Sequence, residues 1–580
     1  LSPEDGSVRW KQPPSLLNIR DVMLINDSLW IGGFKPFSTG SKKYTGPVWG
    51  PFFAAQHDLK TGALLKEITQ DNPEHHHRCW DNKATTRYIL GGRRGTEFLD
   101  LESGDVLWHS WARGVCRYGI MPANGMLYVP PHSCGCYRTV QLEGFNALAP
   151  ARPRTNTGSA TKGRLERGPA YGRQTASATR DDWPTYRGDA QRSGRARGTI
   201  PLTLTTKWQT APGEATTAPV VAGNKVLVAR TDRHELLAVD TNSGKTAWAF
   251  TTGGRIDSPP TVHGGQAIVG CSDGHVYSLK AEDGTLSWRF RAARDPRRVI
   301  VRGQVESASP VHGSVLIDDG TLCFTAGRSS YLDGGIDLYR LNPLTGEQLS
   351  RTTIYSPDER TGQQPKQYSS NAMPGARSDL LAADNKHIYL RDLTFSKKGV
   401  EIKDRERHLF TLTDFLDDSW THRSYWIFGT KSSLSTGCSG RSRKLLFGRL
   451  LTFDGTTAYG YGREKVHWSN EFEDGKYRVF ARRLNADKPM WAKPVSIHIQ
   501  AMVLVGDIIF AAGAGEPPER IGKGEKRSAA PLLLAISTTD GSELARYPIP
   551  AAPVFNGMAA ARGELFLTLA NGQLLCMTGK

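Results

Sequence analysis

The 580 residues carry a formal net charge of +17 and include 61 glycines, 33 prolines and eight cysteines. No apolar run approaches the roughly 18–20 residues of a membrane-spanning helix, so no transmembrane segment is expected. The cysteines are too sparse for a disulfide scaffold, the glycine and proline content suits a turn-rich all-β protein, and the length allows two or more domains.

The chain opens at Leu1 rather than Met, inside what reads as a repeat unit. It therefore looks like a fragment or processed form, with any signal peptide outside it. Residues 7–10, ending at Trp10, read as the last strand of a sheet whose earlier strands are missing. A first unit takes strands at 22–25 and 29–31 and ends at 58–62. A second runs from Asn82 to Trp108. A third begins at Ile120, turns at Asn124-Gly125 and continues through 126–129 and 140–142. Residues 151–182 then read as a basic polar linker. Residues 151–199 hold eleven Lys/Arg against four Asp/Glu, with much Gly, Ser, Thr and Ala. Basic residues without aromatic interleaving describe a solvated spacer better than a nucleic-acid surface.

From Trp183 the units restart. Residues 219–250 and 260–290 are near copies, each with four short apolar strands joined by Gly- and Asp-bearing turns. Their tryptophans, Trp248 and Trp288, lie 40 residues apart. A four-stranded meander repeating at about 40 residues is the pattern of propeller blades. Turns between first and second strands recur near Gly223, Gly264, Asp319, Asn385, Gly455, Gly506 and Gly563. Polar insertions fall at 356–370, 397–407 and 516–527. The last unit lacks an outer strand, and 204–208 has the length and the tryptophan to supply it. The expected fold is an all-β propeller of four-stranded antiparallel blades. Residues 183–580 form one ring, seven blades favoured and eight if a long unit hides two. Residues 1–150 are about three terminal blades of a second propeller, truncated at its N-terminal side.

The turn before each tryptophan is more specific. In Asp240-x-x-x-Gly244-x-x-x-Trp248 the Asp accepts turn amides and the Gly takes positive φ. Gly followed four residues later by Trp recurs at Gly6/Trp10, Gly104/Trp108 and Gly284/Trp288, with looser copies at Asp58…Gly62, Asn342…Gly346 and Ser537…Gly541. This resembles the tryptophan-docking motif of the pyrroloquinoline quinone (PQQ) repeat family. The stretch from Asp182 to Gly188, with Trp183, Pro184 and Arg187, resembles the Trp-Pro-x-x-Arg-Gly opening of many such propellers. The resemblance implies a PQQ-like β-propeller of the quinoprotein dehydrogenase-like superfamily, in which Trp248 and Trp288 are structural.

Enzymes of that superfamily hold the quinone with calcium, and many carry two adjacent cysteines over it. This chain has no Cys-Cys pair and no matching Glu/Asn/Asp constellation, which argues against PQQ as a cofactor. His75–77, Cys79, Cys116, His132, Cys134 and Cys136 cluster in the early units. Soft-metal binding, a disulfide of Cys116 with Cys134 or Cys136, and inert thiols all remain open. Cys271 and Cys323 sit at second-strand positions and read as core. Arg302, Glu306, Arg328 and Asp333 lie near strand ends, where they can line a channel. Asp417, Asp418, Trp420, His422 and Arg423 mix carboxylates, an imidazole, a guanidinium and an aromatic, a set suited to stacking on a sugar or to acid–base work. The bland reading of both sets is that they satisfy turn amides and one another.

The resemblance implies a non-catalytic binding or scaffold propeller of the bacterial cell envelope, periplasmic or extracytoplasmic, with a protein or carbohydrate ligand on its face. The alternatives are a carbohydrate-active lyase or hydrolase using the 417–426 region and a PQQ-dependent dehydrogenase.

Overall fold

A computed structural model describes the chain except residues 3, 12–17, 36–50, 71–79, 93–94, 116, 132–136, 138, 143, 151–162, 174–178, 214, 366–372, 412–425, 431–444, 464–476 and 516–529. Local turn chemistry builds it. Asp240 Oδ1 accepts the amides of Asn242 (3.1 Å) and Ser243 (2.9 Å), and Gly244 closes the turn at φ +69° by donating to Asp240 O (2.9 Å). Asp58, Asp100 and Asn342 repeat this arrangement with their own turn amides. The side chain substitutes for a backbone acceptor, and the left-handed residue reverses the chain. The ladder slips by one residue just ahead of this turn in five sheets, at Gln56/His57, Ala238/Val239, Ser278/Leu279, Arg340/Leu341 and Ala535/Ile536. The recurring bulge sharpens the twist of each outer strand.

These meanders gather into two compact units. The first takes in Leu1–Thr155 and Ser356–Pro374. Its sheets are Asn18–Ile25/Ser28–Phe34/Phe52–Asp58/Leu64–Thr69, then Lys83–Ala84/Tyr88–Gly91/Thr96–Asp100/Val106–His109, then the three-stranded Met121–Ala123/Met126–Val129/Asn146–Leu148. Residues 7–10 are not a strand, and the third sheet's last strand is Asn146–Leu148 rather than 140–142. Val140 is instead buried in a turn. Within this unit Gln364, from the insertion after 355, bonds Ser110 at 2.7 and 2.9 Å.

Besides a two-stranded hairpin at 298–307, the second unit contains eight sheets among the described residues, at 220–251, 261–291, 316–354, 381–402, 408–448, 450–494, 498–548 and 553–579. Seven turn signals mark seven of them. The sheet at 408–448 carries no such signal, its strands His408–Thr411, Trp426–Gly429 and Leu446–Gly448 being far apart in sequence. The inner strands of each of these sheets touch the next sheet's, and the 553–579 sheet touches the 220–251 sheet. The 553–579 sheet does borrow its outer strand: Leu204–Thr210 pairs antiparallel with Leu574–Gly579, Trp208 opposite Cys576. The borrowed strand covers the edge of Leu574–Gly579 and gives this sheet four strands.

Part of the expected linker is a structural element. Leu165–Arg167 adds a fifth strand beside Leu286–Arg291. Buried Arg164 donates to the carbonyls of Arg291 (2.8 Å) and Ala293 (3.2 Å). One apolar residue followed by two charged ones at 165–167 suits an exposed edge strand, which composition alone does not distinguish from a spacer.

Candidate functional site

The centre of the second unit is filled by its own chain. Residues 182–196 reach all eight sheets. Trp183, fully buried, exchanges backbone hydrogen bonds with Val221. Pro184 O accepts from Val262. Arg192 donates to Leu381 O (3.1 Å) and Val315 O (3.3 Å). Ser193 O accepts from Phe453, and Arg195-Ala196 runs parallel to Leu504-Val505. Arg187 donates to Leu451 O and to Asn556 Oδ1 (2.8 Å), with its guanidinium 4.8 Å from the Trp426 ring centre. Burial lowers both Arg187 and Arg192 to about 10, so both stay charged at neutral pH. Their donors all need acceptors, and the inner strands provide them as carbonyls.

On the rim, Arg255, Asp257, Glu306, His312 and Arg328 converge. Asp257 and His312 each stand four residues before the first strand of their sheet, Thr261–His263 and Leu316–Asp318. The repeat therefore brings them to equivalent places on adjacent sheets. Glu306 arrives on the hairpin Arg298–Val301/Gln304–Ser307 between those sheets, and Arg328 follows Thr321–Ala326. His312 Nδ1 lies 2.6 Å from Asp257 Oδ2, while Arg328 Nη1 donates to His312 Nε2 at 3.3 Å. In the neutral ring, these contacts place the proton on Nδ1 and the lone pair on Nε2. Arg255 Nε donates to Asp257 and its Nη2 to Glu306 (3.4 Å), and Arg328 Nη2 donates to Glu306. Burial pushes the Asp257 carboxyl up, but the His312 hydrogen bond and the Arg255 guanidinium outweigh it and hold it below its usual value.

Two carboxylates thus meet two guanidiniums and a neutral imidazole, and the formal charges cancel. Asp257, Glu306 and His312 bring ligand-type atoms within 4.8 Å of one another. Both carboxylates already face guanidiniums, which repel a cation and occupy the oxygens it would need. A calcium ion and the quinone it would hold do not fit this donor set.

The cluster unites two of the sequence candidates, Glu306 and Arg328. The other two lie apart. Arg302 is exposed at the hairpin turn, and Asp333 accepts from Arg297 at 2.9 Å. Asp417, Asp418, Trp420, His422 and Arg423, and Cys79, Cys116, Cys134 and Cys136, lie outside the described residues. Cys271 and Cys323 are free buried thiols, as expected, and burial pushes Cys323 up to about 12. Arg255, Asp257 and His312 were missed. The signal that finds them is positional: Thr216, Asp257, His312 and Arg377 all sit four residues before a first strand.

The tryptophans work between sheets. Each ring covers a glycine of the following sheet's turn: Trp10 on Gly62, Trp208 on Gly244, Trp248 on Gly284, Trp288 on Gly346 and Trp491 on Gly541. Each indole N–H donates to the carbonyl three residues before that glycine, at 2.7–3.2 Å. The turns without a tryptophan of their own, at Gly62, Gly346 and Gly541, are therefore served like the rest.

Residues 192–383 match the family model described as outer membrane protein assembly factor BamB. Over 136 residues the chain is 31% identical to the DNA damage-responsive serine/threonine-protein kinase RqkA of Deinococcus radiodurans. That match covers 22% of this chain and spans only 20% of the kinase's length. Similar solved structures include quinohemoprotein alcohol dehydrogenase from Comamonas testosteroni (TM-score 0.43, 13% identity, 70% of this chain and 82% of that one). BamB from Moraxella catarrhalis is another (TM-score 0.31, 13% identity, 70% and 98%). No helix among the described residues is long and apolar enough to cross a membrane. The family model falls on the four-stranded repeats themselves, and residues 192–383 carry the repeat that this model describes within an all-β, propeller-like set of sheets.

Proposed function

We propose that this protein is a binding scaffold of the bacterial cell envelope, holding a protein partner on the propeller face that carries the Glu306 hairpin. One observation carries the reading. The polar groups gathered at the rim are spent on one another, and residues 182–196 fill the centre. A catalytic acid or base needs an unclamped proton site beside a space for substrate; here His312 has both ring nitrogens engaged. The family model that matches 192–383 is named for an assembly factor, which is consistent with such a role. In this reading the glycine-covering tryptophans are the docking motif of the repeat, and they supply rigidity rather than chemistry.

The carbohydrate-active reading rests on Asp417, Asp418, Trp420, His422 and Arg423, which lie outside the described residues. The test of the scaffold reading is reconstitution with calcium and PQQ followed by dye-linked alcohol and sugar oxidation. The expected rate equals that of the protein-free control, and turnover above it overturns the proposal. Site-specific photocrosslinkers at Arg302 and at Gly223 then compare the two faces in envelope fractions. Adducts concentrated at Arg302 are expected, and adducts at Gly223 alone would move the partner to the other face.

A further inference from the structure

The hairpin Arg298–Val301/Gln304–Ser307 stands as a two-stranded sheet of its own between the second and third blades. Its turn, Arg302-Gly303, has φ +51° and +76°, the left-handed pair of a tight two-residue reversal. Antiparallel pairing fixes where its backbone groups point. Ala308 N donates to Arg297 O, and Val299/Glu306 and Val301/Gln304 follow as the bonded pairs. The N–H and C=O of Arg298 and Ile300 are then directed to the outer edge. On the opposite edge the corresponding amide, that of Ser307, is taken by Ser272 O at 2.8 Å. One edge is stitched to the propeller and the other faces water.

The two faces of the hairpin differ as well. The lower face sends Glu306 into the buried guanidinium cluster and Gln304 to His234 Nε2 (2.8 Å). The upper face presents Ile300, 79% exposed, beside Val305, 55% exposed. Arg298 and Arg302 flank this apolar pair, and neither makes an ion pair among the described residues; residues 296–305 contain no carboxylate. An apolar, β-branched edge strand that is exposed and anchored at its base is a template for strand addition.

We propose that this hairpin is a docking edge for an acidic, extended segment of a partner protein, which adds as a strand beside Arg298–Val301. The proposal rests on the scaffold reading and names its contact. Charge selects the occupant. A second copy pairing edge to edge across a twofold axis would set Arg298 and Arg302 against their own copies, whereas carboxylates on the incoming strand neutralise them. The Glu306 cluster then acts as the anchor that keeps the finger rigid while it is loaded.

The test uses the full chain and a fluorescent peptide of alternating Glu and Val, about eight residues long, the length of a typical strand. A Lys/Val peptide and phosphatidylglycerol–phosphatidylcholine vesicles serve as comparisons. The acidic peptide is expected to bind saturably, with affinity falling as salt rises. Ile300→Pro, which removes the outward N–H, and the pair Arg298→Glu/Arg302→Glu should each weaken binding by about tenfold or more, with thermal melts showing that both variants remain folded. Unchanged affinity in Ile300→Pro, equal binding of the basic peptide, recruitment to the vesicles instead of the peptide, or no saturable binding overturns the proposal. Adducts from Gly223 with none from Arg302 would also overturn it while leaving the scaffold reading intact. Dye-linked turnover would remove both.

Discussion

The indole of Trp248 lies on Gly284 of the following sheet, where a Cβ would come within 2.7 Å of the ring, and its N–H reaches Ala281 O at 3.1 Å. A glycine is required there twice over, for the φ of +76° and for the ring. Gly284→Ala should therefore cost about 2–4 kcal/mol, combining left-handed strain with a steric clash. Gly223→Ala, with φ +58° and nothing within 4 Å, should cost only about 1 kcal/mol. Trp248→Ala should cost about 3–5 kcal/mol. Urea denaturation of the three variants measures the order, and equal losses at the two glycines would break the argument.

Arg192 is the second point of leverage. Its guanidinium serves Thr185 Oγ1, Tyr186 O, Leu381 O and Val315 O, in three separate stretches of chain. Arg192→Leu leaves those acceptors buried and unmatched, so a loss of about 3–5 kcal/mol is expected. Arg195→Leu, on an exposed side chain, should change stability by about 0.5 kcal/mol or less. Paired denaturation curves check the contrast.

Glu306 joins the buried cluster to the exposed finger. Glu306→Gln removes the charge between Arg255 and Arg328 and leaves the two guanidiniums facing each other. Amide exchange across 298–307 should accelerate, while exchange in Glu235–Asp240 stays unchanged. Equal acceleration in both segments would mean that the cluster stabilises the whole unit rather than its hairpin.

His498 gives stability a pH dependence. Burial, with Arg449 nearby, lowers it from an ordinary value near 6.5 to about 3. The folded state therefore favours the neutral ring, and the unfolded chain binds the proton first as pH falls. The neutral ring's contribution is complete above about pH 6.5 and is lost progressively down to about pH 3, at about 1.4 kcal/mol per pH unit. His498→Gln should flatten the slope of unfolding free energy by that amount between pH 6 and 4. An identical slope in both proteins would rule His498 out as its source.

The strands and their turns were legible because their causes are local. Asp240 and Gly244 settle their turn within five residues, and the same chemistry recurs wherever that spacing does. That Trp248 covers the seam to the next sheet is legible from its place on the outer strand; that its contact there is Gly284 is not, because that pairing spans two repeats. Glu306 and Arg328 were found by their type, whereas Asp257 and His312 needed the repeat to be aligned strand by strand. The sheet at 408–448 escaped because no tight turn marks it. Leu165–Arg167 escaped because three residues with a single apolar side chain, in a basic stretch, carry no periodicity to register.

The segment at the centre also has a history in time. Residues 182–196 leave the ribosome before any of the eight sheets they contact. Arg187 waits 369 residues for Asn556, and Trp208 waits for the last strand of the chain. Sheets such as 220–251 can form as they emerge, since their pairings are local, but the hub lacks partners until the 553–579 sheet has been made. Truncated or stalled chains then carry two buried-type arginines and a line of unmatched inner-strand carbonyls, which marks them as unfinished.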